Sequence, residues 1–200
     1  MARDKNGKTE EQFLREYDAT EYFRPSVTVD AVLYRVLSED SIRVLLIRRG
    51  GHPFIGKYAF PGGFVEEDEP CETAVARELC EETGISGLAL RQLVTVSTPD
   101  RDPRWRNITV VYCAEVPADI SAAAGDDAAD AKWFDITVSG GSLAFNGDGE
   151  SFCVKLDLAY DAFGQIDINN TKIAERGQVA FDHAKIICYL HNLLKWRKKT

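Results

Sequence analysis

Residues 63–85, GFVEEDEPCETAVARELCEETGI, decide the fold of this chain. They complete a Pro61-Gly62-Gly63 turn, pass through an acidic loop and then predict a helix from Pro70 onward. Proline is well tolerated in the first turn of a helix, because its missing N–H has no partner there anyway. Gly84 predicts the end of the helix, since glycine readily adopts the left-handed conformation of a C-terminal cap.

Three glutamates of the predicted helix, Glu78, Glu81 and Glu82, fall within an arc of roughly 100°. Like charges at this spacing destabilise a helix by a few tenths of a kcal/mol. Carboxylate oxygens are also the ligands that Mg²⁺ and Mn²⁺ prefer, so the arc suits a metal site. A solvated acidic helix face is the alternative, and the spacing described next argues against it. The nearly opposite arc carries the residues predicted to pack on the core: Ala76, Leu79, Cys80 and Thr83.

The spacing of these residues resembles the signature of the Nudix hydrolase family at every defined position. Five residues separate Gly63 from Glu69, and seven separate Glu69 from Arg77-Glu78-Leu79; Glu81-Glu82 and Gly84-Ile85 each follow after one residue. The resemblance implies a loop–helix–loop that binds a divalent metal ion. It also implies hydrolysis of a diphosphate that is linked to another moiety.

Individual roles follow from the resemblance position by position. Glu78, Glu81 and Glu82 correspond to the metal ligands, and the Gly63 carbonyl corresponds to a fourth. Glu69 and Arg77 correspond to an ion pair that ties the loop to the helix, a task that suits a charge-assisted fork. The implied cofactor is Mg²⁺ or Mn²⁺, and the five charged residues form the expected catalytic set.

Composition limits the class of protein. Two hundred residues suit one well-buried domain, and 44% hydrophobic with 28% charged residues is ordinary soluble composition. A net charge of −8 argues against a nucleic-acid or anionic-membrane binder. The five cysteines contain no CxxC pair and are odd in number, and no signal peptide or membrane span is evident. We therefore expect a cytoplasmic protein with a small-molecule substrate.

Apolar runs around the signature predict the rest of the fold. Strands are predicted over residues 26–37, 43–49, 88–97, 108–116 and 131–134. Apolar periodicity predicts a helix from Val179 to Lys195. These elements predict the α/β (α+β) class, as a three-layer α/β/α sandwich around a mixed sheet. The Nudix resemblance implies the same fold.

Residues 141–169 alternate between apolar and polar, and Asn146-Gly147-Asp148-Gly149 is a hairpin signal. They predict an antiparallel β-meander added before the C-terminal helix. Its expected role is packing or subunit pairing, as in a homodimer, and a wall of the substrate site is the alternative. We expect residues 1–200 to form a single Nudix domain, with 141–170 as an insertion typical of one branch of the family.

Basic residues flank the signature on both sides. Arg48 and His52 precede the Pro-Gly-Gly turn, while Arg101, Arg104 and Arg106 lie in the loop at 100–106. Arginines suit the pairing of a diphosphate, and the aromatic residue of this loop suits stacking on a base or ribose. We therefore predict these five residues to bind the substrate. A solvated loop, whose Arg and Asp residues pair with one another, explains the pattern equally well.

The motifs HPFIGKYAFPGG (52–63), DRDPR (100–104) and FDH (181–183) resemble the ADP-ribose-hydrolysing branch of Nudix proteins. This implies hydrolysis of ADP-ribose to AMP and ribose 5-phosphate. The general base is expected among the signature glutamates or among Asp102, Glu175 and Asp182. NADH, nucleoside diphosphate sugars, dinucleoside polyphosphates and damaged nucleoside triphosphates are alternative substrates.

A second class of function also fits these motifs. They resemble the Nudix domains of bacterial transcription regulators that sense ADP-ribose or related sugar phosphates. Such a protein is a binding module rather than an enzyme. The residues after Lys195 are expected to be too few and insufficiently basic for a DNA-binding domain, which favours the enzyme.

Overall fold

The computed structural model describes residues 2–118, 120, 130–147 and 149–197. These residues contain three α-helices, which are α1 (Glu10–Glu16), α2 (Cys71–Thr83) and α3 (His183–Arg197). The strands in chain order are β1 (Ser26–Val36), β2 (Ser41–Arg48), β3 (Tyr58–Ala59), β4 (Gly62–Phe64), β5 (Arg91–Val96), β6 (Asn107–Glu115), β7 (Ala131–Ser139), β8 (Ser142–Gly147), β9 (Glu150–Asp157) and β10 (Lys172–Glu175). No helix in these ranges is both long enough and apolar enough to pass through a bilayer.

All ten strands belong to one mixed sheet, in the order β10-β9-β8-β7-β2-β1-β6-β5. The short strands β3 and β4 pair with β2 and β1. β1 and β6 run parallel over nine residue pairs, and the other pairings are antiparallel. The predicted mixed sheet is therefore confirmed.

Helices pack on both faces of this sheet, because the two faces of its central strands are both apolar. Val29 and Leu33 of β1 join the cluster that contains Leu79 of α2. Val32 of β1 joins the cluster that contains Ile186 of α3 on the opposite face. Successive side chains of a strand point to opposite faces, so a strand buried on both sides reads as a continuous apolar run. The result is the predicted α/β/α arrangement.

The predicted meander extends this sheet rather than forming a separate unit. β8 pairs with β7, β9 with β8, and β10 with β9, all antiparallel. Phe145 of β8 stacks on Phe152 of β9 with ring centroids 4.6 Å apart, and Phe134 of β7 contacts both rings. Aromatic pairs across neighbouring strands stabilise a sheet. Of the predicted hairpin turn, Asp148 lies outside the described residues.

Two predicted boundaries were wrong by four residues or more. The strand predicted over residues 131–134 continues to Ser139, because it pairs with β2 on one side and β8 on the other. The last helix begins at His183 rather than Val179. Before it, the chain is bonded to β3, since the Ala180 N–H donates to the Tyr58 carbonyl over 2.8 Å. Most of the segment 117–130, between β6 and β7, lies outside the described residues, as do the basic residues after Arg197.

Candidate active site

Two glycines bring the start of the signature against β1 and α2. Gly62 and Gly63 pair with Asp30 and Val29 in the sheet. A Cβ at Gly62 would lie 2.1 Å from the Val29 carbonyl oxygen, and one at Gly63 would lie 2.3 Å from Oε1 of Glu78. The chain can approach both neighbours this closely because glycine has no side chain. The Pro-Gly-Gly turn thus places the Glu78 carboxylate directly over β4.

Helix α2 ends as predicted, with Gly84 at φ 70° and its N–H donating to the Cys80 carbonyl. The prediction of its buried face was partly wrong. Leu79 and Thr83 are buried, but Ala76 and Cys80 are exposed. Ala74 and Val75 complete the buried side instead.

The carboxylates consequently lie nearer the sheet than predicted. Val75, Glu78, Leu79 and Glu82 have the i, i+3, i+4, i+7 spacing of a single helix face. Glu78 and Glu82 are half-buried, whereas the Glu81 side chain keeps 57% of its exposure. The two half-buried glutamates therefore face the turn formed by β4, and Glu81 faces solvent.

Arg77 ties the loop to the helix. Its Nη2 and Nε donate to the two oxygens of Glu69 over 2.6 and 3.2 Å, and Nη2 also donates to the Phe64 carbonyl. Nη1 donates to Glu78 over 2.8 Å and to Glu81 over 3.2 Å. Hydrogen bonding from Arg77 lowers the pKa of Glu69. This geometry matches the ion pair that the resemblance implies.

The donor chemistry at Glu78 and Glu82 fits a hard divalent cation. Burial raises the pKa of Glu78, and burial together with the charge of Glu78 raises the pKa of Glu82 to about 7. Burial and mutual repulsion disfavour the charged forms of these two adjacent carboxylates, and a bound cation would stabilise them. Within the described ranges, no three His, Cys, Asp or Glu side chains are grouped closely enough to hold a metal ion. Glu81 is hydrogen-bonded to Arg77 and mostly exposed. The full set of Glu78, Glu81, Glu82 and Gly63 therefore stays a prediction.

A cavity of about 220 Å³ opens beside this turn. It lies between β1, β4, the loop at 97–106 and the start of α3. Its lining is polar at the base and aromatic at the sides. The lining residues are Thr28, Val29, Asp30, Arg49, Ala59, Phe60, Gly62, Gly63, Phe64, Arg101, Asp102, Arg104, Asn107, Phe181 and His183.

Two of the predicted substrate-binding arginines line this cavity but already hold carboxylates. Arg101, 3% exposed, forms a bidentate ion pair with the buried Asp182 over 3.0 and 2.8 Å. Arg104 forms a second fork with Asp102 over 3.1 and 2.8 Å. The pairing of Arg and Asp residues within the loop is thus observed for Arg104 and Asp102, while the Arg104 side chain keeps 43% of its exposure. Arg101 is an internal anchor that joins the loop to α3.

The remaining predicted substrate residues lie outside the cavity lining. Arg48 is exposed and donates from Nε to the Gly56 carbonyl. His52 is exposed. Arg106 donates to the carbonyls of Thr98 and Asn107 over 3.4 Å. The structure thus separates these three side chains from Arg101 and Arg104.

Arg49 precedes the Pro-Gly-Gly turn together with Arg48 and His52, but it is not one of the five residues predicted to bind the substrate. It lines the cavity, and its Nε donates to the Pro53 carbonyl over 2.8 Å. No carboxylate among the described residues forms an ion pair with it. Burial and the charge of Arg104 lower the pKa of Arg49. Its position next to the predicted Arg48 indicated that Arg49 could also bind the substrate. Adjacent side chains of an extended chain point to opposite sides, and Arg49 is the one that lines the cavity.

A series of buried polar contacts connects residues at the base of the cavity. The Phe60 N–H donates to Nδ1 of His183 over 2.9 Å, so the ring proton of neutral His183 is on Nε2, 3.4 Å from Asp30. Thr109 donates to the other oxygen of Asp30 over 2.6 Å. Burial lowers the pKa of His183 to about 3. His183 is therefore neutral, buried and hydrogen-bonded within the core, which favours a packing role over a catalytic one.

Comparisons with known proteins place this geometry in a family. The NUDIX domain model matches residues 25–146. An ADP-ribose pyrophosphatase of Methanocaldococcus jannaschii is 43% identical over 115 residues, which are 58% of this chain and 64% of that protein. The chain therefore spans less than two thirds of this relative.

Solved structures of nudix proteins are also similar to this chain. A MutT/nudix family protein of Enterococcus faecalis has a TM-score of 0.72 and 33% identity, over 94% of this chain and 69% of that one. The NUDIX domain of Shewanella oneidensis NrtR, complexed with ADP ribose, has a TM-score of 0.56 and 36% identity. The match covers 63% of this chain and 82% of that domain.

Proposed function

The chain belongs to the NUDIX domain family, and we propose that it is a divalent-metal-dependent pyrophosphohydrolase that converts ADP-ribose to AMP and ribose 5-phosphate. The observation that carries this proposal is the contact of Glu82 and Glu78 with Gly62 and Gly63. These two glycines line the same cavity as Arg49. Carboxylates for a metal ion and a cation for a diphosphate then meet at one place. The related ADP-ribose pyrophosphatase supports the choice of substrate.

In this proposal, different residues of the chain bind the metal ion, bind the diphosphate and position the loop. Glu78 and Glu82 would hold Mg²⁺ or Mn²⁺, which when bound neutralises negative charge on the diphosphate. Arg49 and Arg104 bind and orient the diphosphate, since guanidinium forks match phosphate oxygens. Phe64 and Phe181 form the apolar sides of the cavity. The Arg77–Glu69 pair keeps the loop and helix in register.

The three candidates for the general base outside the signature are each paired with a cation. Asp182 is engaged by Arg101, and Asp102 by Arg104. Glu175 lies on β10, exposed and paired with Lys155. We therefore place the base among the glutamates of the signature, which lie next to the cavity.

A turnover assay tests the proposal. The purified chain is incubated with Mg²⁺ or Mn²⁺ and a panel of ADP-ribose, NADH, nucleoside diphosphate sugars, dinucleoside polyphosphates and oxidised nucleoside triphosphates. The expected result is fastest hydrolysis of ADP-ribose, with AMP and ribose 5-phosphate identified by mass spectrometry. Hydrolysis of none of these compounds would refute the proposal.

A second candidate function is an ADP-ribose-binding module. The likeness to an NrtR domain complexed with ADP ribose favours it. Tight binding of ADP-ribose without turnover, together with binding of DNA by the same preparation, would identify this function.

We propose that the enzyme is located in the cytoplasm, because its five free cysteines suit a reducing compartment. A homodimer and a single domain over 1–200 remain part of the proposal.

Arg49→Ala is expected to raise KM for ADP-ribose roughly 10- to 100-fold with a smaller change in kcat. The reason is the loss of a charged hydrogen bond to the diphosphate, which contributes about 1.5–3 kcal/mol in ground state and transition state alike. Arg104→Ala is also expected to raise KM, but by a smaller factor, because the Arg104 guanidinium is already paired with Asp102. Steady-state kinetics measure both. The adjacent Arg48→Ala serves as control, and an equal rise in KM there would contradict the assignment.

Gly63→Ala is expected to lower kcat/KM by about 10- to 100-fold while the chain stays folded. The added Cβ would lie 2.3 Å from the Glu78 carboxylate, so this flexible group must move. A misplacement of about 1 Å at a catalytic group has an effect of this size. Kinetics and a thermal melt give the two quantities. Gly51→Ala is the matched control, since a Cβ at Gly51 meets no atom within 4 Å. Full activity of Gly63→Ala would show that the position of Glu78 is unimportant.

A further inference from the structure

Phe181 has an unfavourable backbone conformation at the edge of the cavity. Its φ is 47°, in the left-handed region that bulky side chains rarely adopt. Phe54, at φ 64°, is the other non-glycine residue of the described chain with positive φ. Their rings touch edge to face, with centroids 5.0 Å apart. Two outliers in mutual contact indicate a conformation that the surrounding structure imposes.

Bonds on both sides of Phe181 impose this conformation. Before it, the Ala180 N–H donates to the Tyr58 carbonyl over 2.8 Å. After it, His183 accepts the Phe60 N–H over 2.9 Å. The Phe181 carbonyl itself accepts a hydrogen bond from Nη1 of Arg176. The chain must therefore turn sharply at residue 181 to reach both anchors, and the ring is directed into the cavity wall.

The ring is the common neighbour of the two cavity arginines that face the proposed diphosphate. The guanidinium carbon of Arg49 lies 4.9 Å from its centroid, and that of Arg104 lies 5.9 Å away. Arg104 also lies 5.4 Å from the ring of Phe64. Cation–π attraction holds a guanidinium over an aromatic face. Two like charges that would otherwise separate are thus held beside the same ring, which is only 8% exposed.

We propose that Phe181 is a positioning residue that sets the spacing of the Arg49 and Arg104 guanidiniums, so that both reach one diphosphate group. This inference rests on the proposed function, because its ligand is the diphosphate of the same cavity. A leucine would fill the space but has no π face, so the two arginines would lose their shared support. The strained backbone at residue 181 places the ring within reach of both guanidiniums.

Binding of a substrate analogue tests the role of Phe181 without turnover. The probe is α,β-methylene ADP-ribose, in which a CH₂ group replaces the bridging oxygen, and isothermal calorimetry with Mg²⁺ measures its Kd. Phe181→Leu is expected to raise Kd roughly tenfold through the loss of the cation–π contacts. Phe181→Tyr, which keeps the ring, is expected to bind within twofold of the wild type. With ADP-ribose as substrate, Phe181→Leu should change KM far more than kcat.

The control is Phe145→Leu, which removes a fully buried ring from β8 remote from the cavity. It is expected to lower Tm without changing Kd. Unchanged Kd in Phe181→Leu, or failure of Phe181→Tyr to restore binding, would overturn the inference. A wild-type chain that binds the analogue but hydrolyses nothing would refute the proposed enzyme and leave the role of Phe181 standing. No binding by the wild type would overturn both.

Discussion

Glu82→Gln is expected to lower kcat/KM for ADP-ribose about 10²- to 10³-fold without unfolding the chain. Oε2 of Glu82 accepts the Gly62 N–H over 2.8 Å, and the amide oxygen of glutamine can accept the same bond. Only the charge is lost, and with it the affinity for the divalent ion. Metal-assisted charge stabilisation contributes several kcal/mol, and about 1.4 kcal/mol corresponds to tenfold in rate. Kinetics at saturating Mg²⁺ give the ratio.

Glu67→Gln is the matched control for this substitution. Glu67 is exposed in the acidic loop of the same signature, and its change removes an identical charge. It should leave kcat/KM within twofold of the wild type. Calorimetric titration with Mg²⁺ or Mn²⁺ should show uptake by the wild type and by Glu67→Gln, and weaker uptake by Glu82→Gln. Unchanged turnover in Glu82→Gln would remove Glu82 from the proposed metal site.

Asp182→Asn is expected to lower the free energy of unfolding by about 3–5 kcal/mol, the usual effect of removing one partner of a buried ion pair. The side chains of Arg101 and Asp182 are only 3% and 5% exposed. Without Asp182, the nearest carboxylate of the described chain is Asp30, at 3.9 Å from the guanidinium. The buried guanidinium would then lack an anionic partner at hydrogen-bonding distance, because the amide that replaces the carboxylate can accept a bond but carries no charge. Urea unfolding followed by circular dichroism measures the change.

Glu175→Gln provides the comparison, because it breaks an ion pair at the surface. The Lys155 and Glu175 side chains are 56% and 61% exposed. Pairs of this kind contribute about 0–1 kcal/mol. Equal small losses in the two variants would show that the Arg101–Asp182 pair does not anchor the loop to α3.

Features that depend on local chemistry were predicted well from the sequence. The end of α2 at Gly84 follows from the conformational freedom of one residue, and β1 and β2 follow from their apolar runs. The Arg77–Glu69 pair, which the family resemblance implied, joins residues eight positions apart within a single loop and helix. For such features the neighbours along the chain are also the neighbours in space.

The buried face of α2 was predicted less well, for a physical reason. Helical periodicity places Glu78 and Glu82 on one face but does not say what lies opposite that face. The two glycines of β4 leave room for half-buried carboxylates there, and this room depends on the pairing of β4 with β1. Ala76 and Cys80 are exposed because no strand or helix of the described chain covers them.

The signature, the family and the residue types available to the site can be read from the sequence alone. Which arginine of the cavity lacks a carboxylate partner depends on how the chain folds. Arg101 is paired by a carboxylate 81 positions away, and Arg104 by one two positions away. Arg49 is left without such a partner among the described residues, and Phe181 reaches it from the far end of the chain. Charge pairing over such separations depends on where the folded backbone brings side chains together, which no local pattern contains.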